Sequence, residues 1–96
     1  MQIRNVLHKG LRRFLERGDP SGLPQDYVEK IRNIVSFLAA MEHEDELRSV
    51  LTWKAHQLTG DRRGIWSLSV SRNWRITFWI DSSLAEIADL NFEDYH

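Results

Sequence analysis

Apolar positions recur at two different periods along this chain. In the first third, Val6, Leu7, Leu11, Phe14 and Leu15 fall at helical spacing, which leaves Arg12, Arg13, Glu16 and Arg17 for the solvent side. The spacing predicts a helix over residues 6–18, stopped by Gly18 and the loop-forming run Asp19-Pro20-Ser21-Gly22. Tyr27, Ile31, Ile34, Val35, Leu38 and Met41 repeat every three to four positions and predict a second helix over residues 24–41. Two antiparallel helices joined by a short loop form a helical hairpin. Gln2-Ile3-Arg4 reads as a short edge strand, and residues 44–50 as a short third helix or a long connection.

The second half switches to period two. Trp66, Leu68 and Val70 alternate with Ile65, Ser67, Ser69 and Ser71; Trp74, Ile76, Phe78 and Ile80 then alternate with Arg75, Thr77, Trp79 and Asp81. Arg72-Asn73 separates the two runs, and Asn tolerates the positive φ of a tight hairpin turn. A strand is expected before them at residues 53–58, ended by Thr59-Gly60-Asp61, and another after them at 85–90, following an Asp81-Ser82-Ser83 turn. The fold class is therefore α+β, a helical hairpin packed on one face of a three- to four-stranded antiparallel sheet. Trp66, Leu68, Ile76 and Phe78 are expected to be buried against Phe14, Ile31, Val35 and Leu38. Lys54, His56, Arg75 and Thr77 are poor core residues, so the opposite sheet face is expected to be open to solvent.

Ninety-six residues fit one domain, residues 1–96, and the 42% hydrophobic and 28% charged content is that of a globular chain. No apolar run is long enough to cross a membrane, and the first residues lack the apolar core of a signal peptide. Cysteine is absent, which excludes thiolate zinc sites and cysteine nucleophiles and suits a reducing cytoplasm. Net charge is −1, but it is unevenly spread: residues 48–80 carry six basic residues and one acid, whereas residues 81–96 carry five acids and no base. The basic middle is either a mixed, solvated surface or a local phosphate-attracting face.

Glycine-rich phosphate loops, HExxH, EF-hand and Gly-x-Ser-x-Gly patterns are all missing. His8, His43, His56 and His96 lie on different elements without metal-ligand spacing, so neither a metal nor a nucleotide cofactor is expected. Polar groups on the open sheet face and at the chain's end remain. Lys54 and His56, two apart, are expected to share a strand face, and Arg75 sits beside Thr77. Glu93-Asp94-Tyr95-His96 puts an imidazole beside a carboxylate and a phenol, groups suited to proton transfer near neutral pH. Taken singly, each has an ordinary structural reading: an exposed histidine, a surface arginine. Trp79 is either a base-stacking platform or the cover of a second small core.

Three stretches together resemble the HigB toxins of the RelE/ParE superfamily. They are Leu58-Thr59-Gly60-Asp61-Arg62-Arg63-Gly64-Ile65-Trp66-Ser67-Leu68, Asn73-Trp74-Arg75-Ile76-Thr77-Phe78, and the ending Asp94-Tyr95-His96. Ile3-Arg4 through Phe14, with Gly18 and Gly22-Leu23, also looks like that family's first helix and loop, so the resemblance covers nearly the whole chain. It implies a metal-independent, ribosome-dependent mRNA endonuclease of the bacterial cytoplasm. A HigA-like helix-turn-helix antitoxin would hold it inactive, and operator DNA would be reached only through that antitoxin. By the same resemblance His56, Arg75, Asp94, Tyr95 and His96 carry catalysis. Asn73 matches a position that contacts RNA; with it Lys54 and the basic-middle residues Arg62, Arg63 and Arg72 are expected to face RNA or the ribosome, and Arg62, Arg63 and Arg72 to meet acidic antitoxin residues. The sequence departs from the family's habit in its net charge, in Thr59 where a lysine is common, and in ending at His96. Two other classes stay open: a ParE-like gyrase poison, and a catalytically inactive co-repressor acting with a DNA-binding antitoxin.

Overall fold

The computed structural model describes residues 1–94. The chain runs β1 (Gln2–Ile3), α1 (Lys9–Arg17), α2 (Val28–Ala40), β2 (His56–Gln57), β3 (Trp66–Ser69), β4 (Trp74–Asp81) and β5 (Glu86–Asp94). Short 3-10 turns lie at Gln25–Tyr27, Glu44–Ser49, Leu51–Trp53 and Gly60–Arg62. The strands form one sheet in the order β1-β5-β4-β3-β2. Among the described residues the sheet thus has five strands rather than three or four. It is mixed rather than antiparallel, because β1 runs parallel to β5. Both edge strands are only two residues long, short enough to discourage edge-to-edge pairing, and β1 falls where a short edge strand was expected.

The α+β architecture and the core follow the apolar periodicity. Leu11 and Phe14 from α1 and Ile31, Ile34, Val35 and Leu38 from α2 form one cluster with Trp66, Leu68, Ile76, Phe78, Ile87, Leu90 and Phe92 from the sheet. The helix α1 starts at Lys9, not at residue 6. Val6 bridges Leu90, and the Leu7 N–H donates to the Leu90 carbonyl at 2.8 Å, so this backbone is already committed to β5. His8 then caps the helix, its Nδ1 accepting from the Leu11 N–H at 3.0 Å. Gly18 ends the helix as expected, in the left-handed region at φ 71°. The connection to α2 folds back on the start of α1, and Gly22 meets Gly10 so closely that a Cβ on Gly10 would lie 2.3 Å from the Gly22 carbonyl oxygen.

Three expected strand features differ. The strand at 53–58 shrinks to His56–Gln57. Trp53 is buried edge-to-face on Phe37, and Lys54 takes a left-handed φ of 50°, so Lys54 and His56 do not share a strand face. The β3–β4 hairpin is wider than a two-residue turn. Its last pair is Ser69 with Arg75, and the loop closes through Val70 and Ser71 N–H groups on the Trp74 carbonyl. Asn73 is not among the residues of positive φ, because a loop this long has no need of it. Finally, β5 runs on to Asp94 rather than stopping at 90, and a bulge makes that possible.

At the bulge, Trp79 pairs with Ala88 and Thr77 with Asn91, so Asp89 and Leu90 both stand opposite Phe78. Asp89 takes the left-handed φ of 54°. Its N–H donates to Asn5 Oδ1 at 2.9 Å, its Oδ1 accepts from Asn5 Nδ2 at 2.9 Å, and its Oδ2 accepts from Trp79 Nε1 at 3.1 Å. The extra residue reverses the side-chain alternation. Ile87, Leu90 and Phe92 therefore face the core, while Ala88, Asn91 and Glu93 face the other side. That second face is less open than expected: Ser67 and Thr77 are only 2% and 4% exposed.

Two outcomes follow. In an ordinary helix Gly→Ala stabilises by about 1 kcal/mol. Here the added methyl meets backbone that must move, so Gly10→Ala is expected to destabilise by ~1–3 kcal/mol in urea unfolding. The second concerns pH. Partial burial lowers the pKa of His8. A histidine held neutral in the fold contributes stability that is intact above its unfolded pKa of about 6.5 and lost as pH falls through the lower folded value. A falling melting temperature below about pH 6.5 is expected, and His8→Asn, whose amide oxygen can replace Nδ1 as the capping acceptor, is expected to flatten it.

Candidate functional site

The polar groups of the second sheet face converge on a cleft of about 260 Å³ lined by Leu58, Arg62, Ser67, Arg75, Thr77, Glu93 and Asp94. Strand register builds it: Ser67 stands opposite Thr77, Thr77 opposite Asn91, and Arg75 opposite Glu93. Arg62 arrives from the loop between β2 and β3. That loop is closed by the Leu58 N–H on the Ile65 carbonyl at 2.8 Å and turned by Gly60 and Gly64, both at positive φ. At the loop's crown Arg62 makes a bidentate pair with Glu93, Nη1 to Oε1 at 3.0 Å and Nη2 to Oε2 at 2.5 Å. Thr77 Oγ1 donates to the same carboxylate. The Arg62 guanidinium holds the Glu93 carboxyl below the usual carboxylate range, helped by Thr77 and opposed by partial burial. Glu93 in turn raises Arg62.

Arg75 has a structural task besides lining the cleft. Its Nη1 donates to the carbonyls of Ser71 at 2.6 Å and Trp74 at 3.1 Å, which ties the hairpin loop to the strand below it. His56 lies exposed on the edge strand, opposite Ser67 in register. Its Nδ1 is 2.9 Å from the Lys54 carbonyl. A carbonyl only accepts, so Nδ1 donates there, and in the neutral ring this leaves Nε2 as the proton acceptor. Lys54 thus enters the site through its backbone: the left-handed turn that removes it from the strand aims its carbonyl at His56.

Of the expected RNA-facing residues, Arg62 is in the cleft but already ion-paired. Arg63 is exposed beside a separate hollow that it lines with Gln57, Trp66 and Trp79. Arg72 and Asn73 are exposed on the hairpin loop above Arg75. Asp94 is exposed at the cleft's end, whereas Tyr95 and His96 lie outside the described residues. Trp79 holds the bulge by its Nε1 and carries the Arg4 guanidinium 5.4 Å over its ring, the arrangement of a structural residue rather than an empty stacking platform. Among the described residues no group of three or more His, Asp or Glu side chains is placed to hold a metal ion.

The sequence did not single out Glu93 and Ser67 as site residues. Ser67 had a period-two signal but an unremarkable side chain. Glu93 had a clearer one: the apolar parity of β5 slips from Ile87 to Leu90 and Phe92, which turns residue 93 towards Arg75.

The fold, a five-stranded sheet with a parallel N-terminal edge and two helices on one face, is shared with solved toxin structures. The chain is 18% identical to the YoeB/ParE toxin from Agrobacterium tumefaciens, covering 100% of this chain and 99% of that one, with a TM-score of 0.54. It is 17% identical to a chain of the toxin–antitoxin complex RelBE2 from Mycobacterium tuberculosis, covering 99% and 96%, with a TM-score of 0.51. At these identities the likeness is one of fold. Closer kinship comes from the sequence: residues 4–96 match the family described as HigB-like toxin, the RelE-like toxin of type II toxin–antitoxin system HigB. The chain is also 40% identical over 94 residues to Endoribonuclease HigB of Proteus vulgaris, covering 98% of this chain and 99% of that one. This chain belongs to the HigB-like toxin family.

The ion pair at the cleft makes a measurable statement. Glu93 has a depressed pKa, so its contribution to stability is complete above the ordinary carboxylate value of 4.5 and is lost as pH falls through the folded value. Arg62→Ala is expected to move the Glu93 carboxyl midpoint upward in an NMR titration and to remove this part of the acid dependence of unfolding. An unchanged midpoint would mean that Arg62 does not pair with Glu93 in solution.

Proposed function

We propose that this toxin is a metal-independent endoribonuclease that cuts mRNA on the ribosome, with the ribose 2′-oxygen as nucleophile. Ribonuclease activity rests on the family and on the 40% identical full-length relative named an endoribonuclease. The observation that carries the mechanistic reading is the cleft where Arg75 of β4 meets Asp94, the residue preceding Tyr95 and His96. Such a cleft fits a phosphodiester flanked by a base and an acid. His56 Nε2 takes the 2′-proton as the O2′–P bond forms. Arg75 balances charge on the phosphorane-like transition state. The Asp94-Tyr95-His96 end supplies a proton to the departing 5′-oxygen as the P–O5′ bond breaks. The products are a 2′,3′-cyclic phosphate and a 5′-hydroxyl. No step asks for a metal ion.

As a type II toxin the protein is paired with an antitoxin. A HigA-like helix-turn-helix partner fits, its acidic residues meeting the exposed Arg63 and Arg72, with operator DNA contacted through the partner. The site of action is the cytoplasm; among the described residues no helix is long and apolar enough to cross a membrane. A gyrase poison would not need Arg75 and Asp94 to line one cleft.

Induced expression followed by mapping of RNA 5′ ends tests this. Cleavage within translated messages is expected, with 5′-hydroxyl ends. Arg75→Ala and His96→Ala are each expected to abolish growth inhibition, since a positioned acid or base is worth about 10²–10⁴-fold and a charged donor a similar factor. Arg75→Ala also frees loop carbonyls, so a melting curve accompanies it. His56→Ala is expected to have a comparable or smaller effect. Ends bearing a 5′-phosphate would make water the nucleophile and overturn the mechanism.

A further inference from the structure

We propose that Glu93 is a built-in competitor for RNA phosphate: its carboxylate occupies the fork of Arg62, and a bound phosphodiester takes that fork over. The inference rests on the reading of the cleft as an RNA site. A guanidinium fork binds two oxygens of a carboxylate or of a phosphate with the same geometry. Arg62 uses both of its terminal nitrogens on the two oxygens of Glu93, which is how it would hold a phosphodiester. Glu93 stands opposite Arg75 on the neighbouring strand, so its charge lies beside the place where a phosphate held by Arg75 would sit. Carboxylate and phosphate in that space repel, and exchanging the partner of Arg62 relieves the conflict on the cationic side.

Two features let the exchange happen without leaving a stranded charge. Glu93 keeps a second donor, Thr77 Oγ1, when Arg62 leaves. Arg62 stands on a loop flanked by Gly60 and Gly64, neither of which has another atom within 4 Å of where a Cβ would be, and its side chain is 50% exposed. The guanidinium is thus reachable from solvent, with open space beside the two glycines of its loop. Arg4 at the far end of β4 offers a contrast. It bridges Asp81 and Glu86, which line no part of the cleft.

The test is binding of a short RNA oligonucleotide with 2′-O-methyl riboses, which presents phosphodiesters but cannot be cut. Glu93→Gln keeps the shape and the Thr77 hydrogen bond and removes the charge. It is expected to bind about tenfold tighter than the parent, the scale of one charge-assisted hydrogen bond, with a log–log salt slope steeper by about 0.7. Glu93→Ala is expected to change affinity in the same direction. In the Arg62→Ala background the tightening by Glu93→Gln is expected to shrink to the smaller part that comes from relieving repulsion beside Arg75. Affinity unchanged or weakened in Glu93→Gln overturns the proposal, as does a tightening that persists undiminished without Arg62, which would mean simple removal of a negative charge. The two readings fail separately. An Arg62-dependent tightening together with no cleavage in the 5′-end mapping keeps the exchange and rejects the nuclease. Cleavage without the tightening does the reverse.

Discussion

The cleft side of the sheet depends on one left-handed residue, Asp89. Alternation along a strand is strict, so a straight β5 that buried Ile87 would also bury Glu93 and would turn Leu90 and Phe92 to the solvent. The bulge inserts one residue and exchanges the two faces midway. Burying an unpaired carboxylate would cost several kcal/mol, and exposing Leu90 and Phe92 would forfeit about 1.5–3 kcal/mol each. Those penalties far exceed the roughly 1 kcal/mol of a left-handed non-glycine residue. Asp is well suited to the position, because its side chain bonds Asn5 and Trp79 while its own N–H is taken by Asn5. The bulge therefore also anchors the segment that leads from β1 into α1.

Two ion-pair groups sit at opposite ends of β4 and do different work. Arg4 bridges Asp81 and Glu86 where β1, β4 and β5 come together, and it holds Asp81 down to about 2, assisted by Ser83. Arg62 reaches Glu93 where the loop before β3 meets the end of β5. Exposed pairs of this kind add little to stability. Their effect is positional, fixing elements that the apolar core does not reach. In the Arg62 pair the position fixed is part of a binding site, so the same contact that orders the loop also sets the charge of the cleft.

The core was legible in the sequence because burial imposes periodicity. Trp66, Leu68, Ile76 and Phe78 alternate, α2 repeats every three to four residues, and all occupy the cluster expected of them. Legibility stopped where backbone bonding or a single dihedral decided the outcome. Val6 and Leu7 have helical spacing, but Leu90 takes their backbone. Lys54 continues an alternating run, but the packing of Trp53 on Phe37 turns the chain at that point. Arg75 was placed on the polar face, where it is, while its bonds to the hairpin loop depend on a turn geometry that no side-chain pattern encodes. Glu93 was the instructive miss: its partner Arg62 is 31 residues away, and only the parity slip in β5 hinted that they meet.

The position of β5 has a temporal meaning. It is the last strand in the chain, yet it lies between β1 and β4, and Asn5 reaches Asp89 across 84 residues of sequence. A nascent chain that has not yet made β5 has a helical pair, a β3–β4 hairpin and no wall for the cleft. Contacts of such long range form late and slowly in folding. The cleft is therefore assembled only when the two ends of the described chain have met.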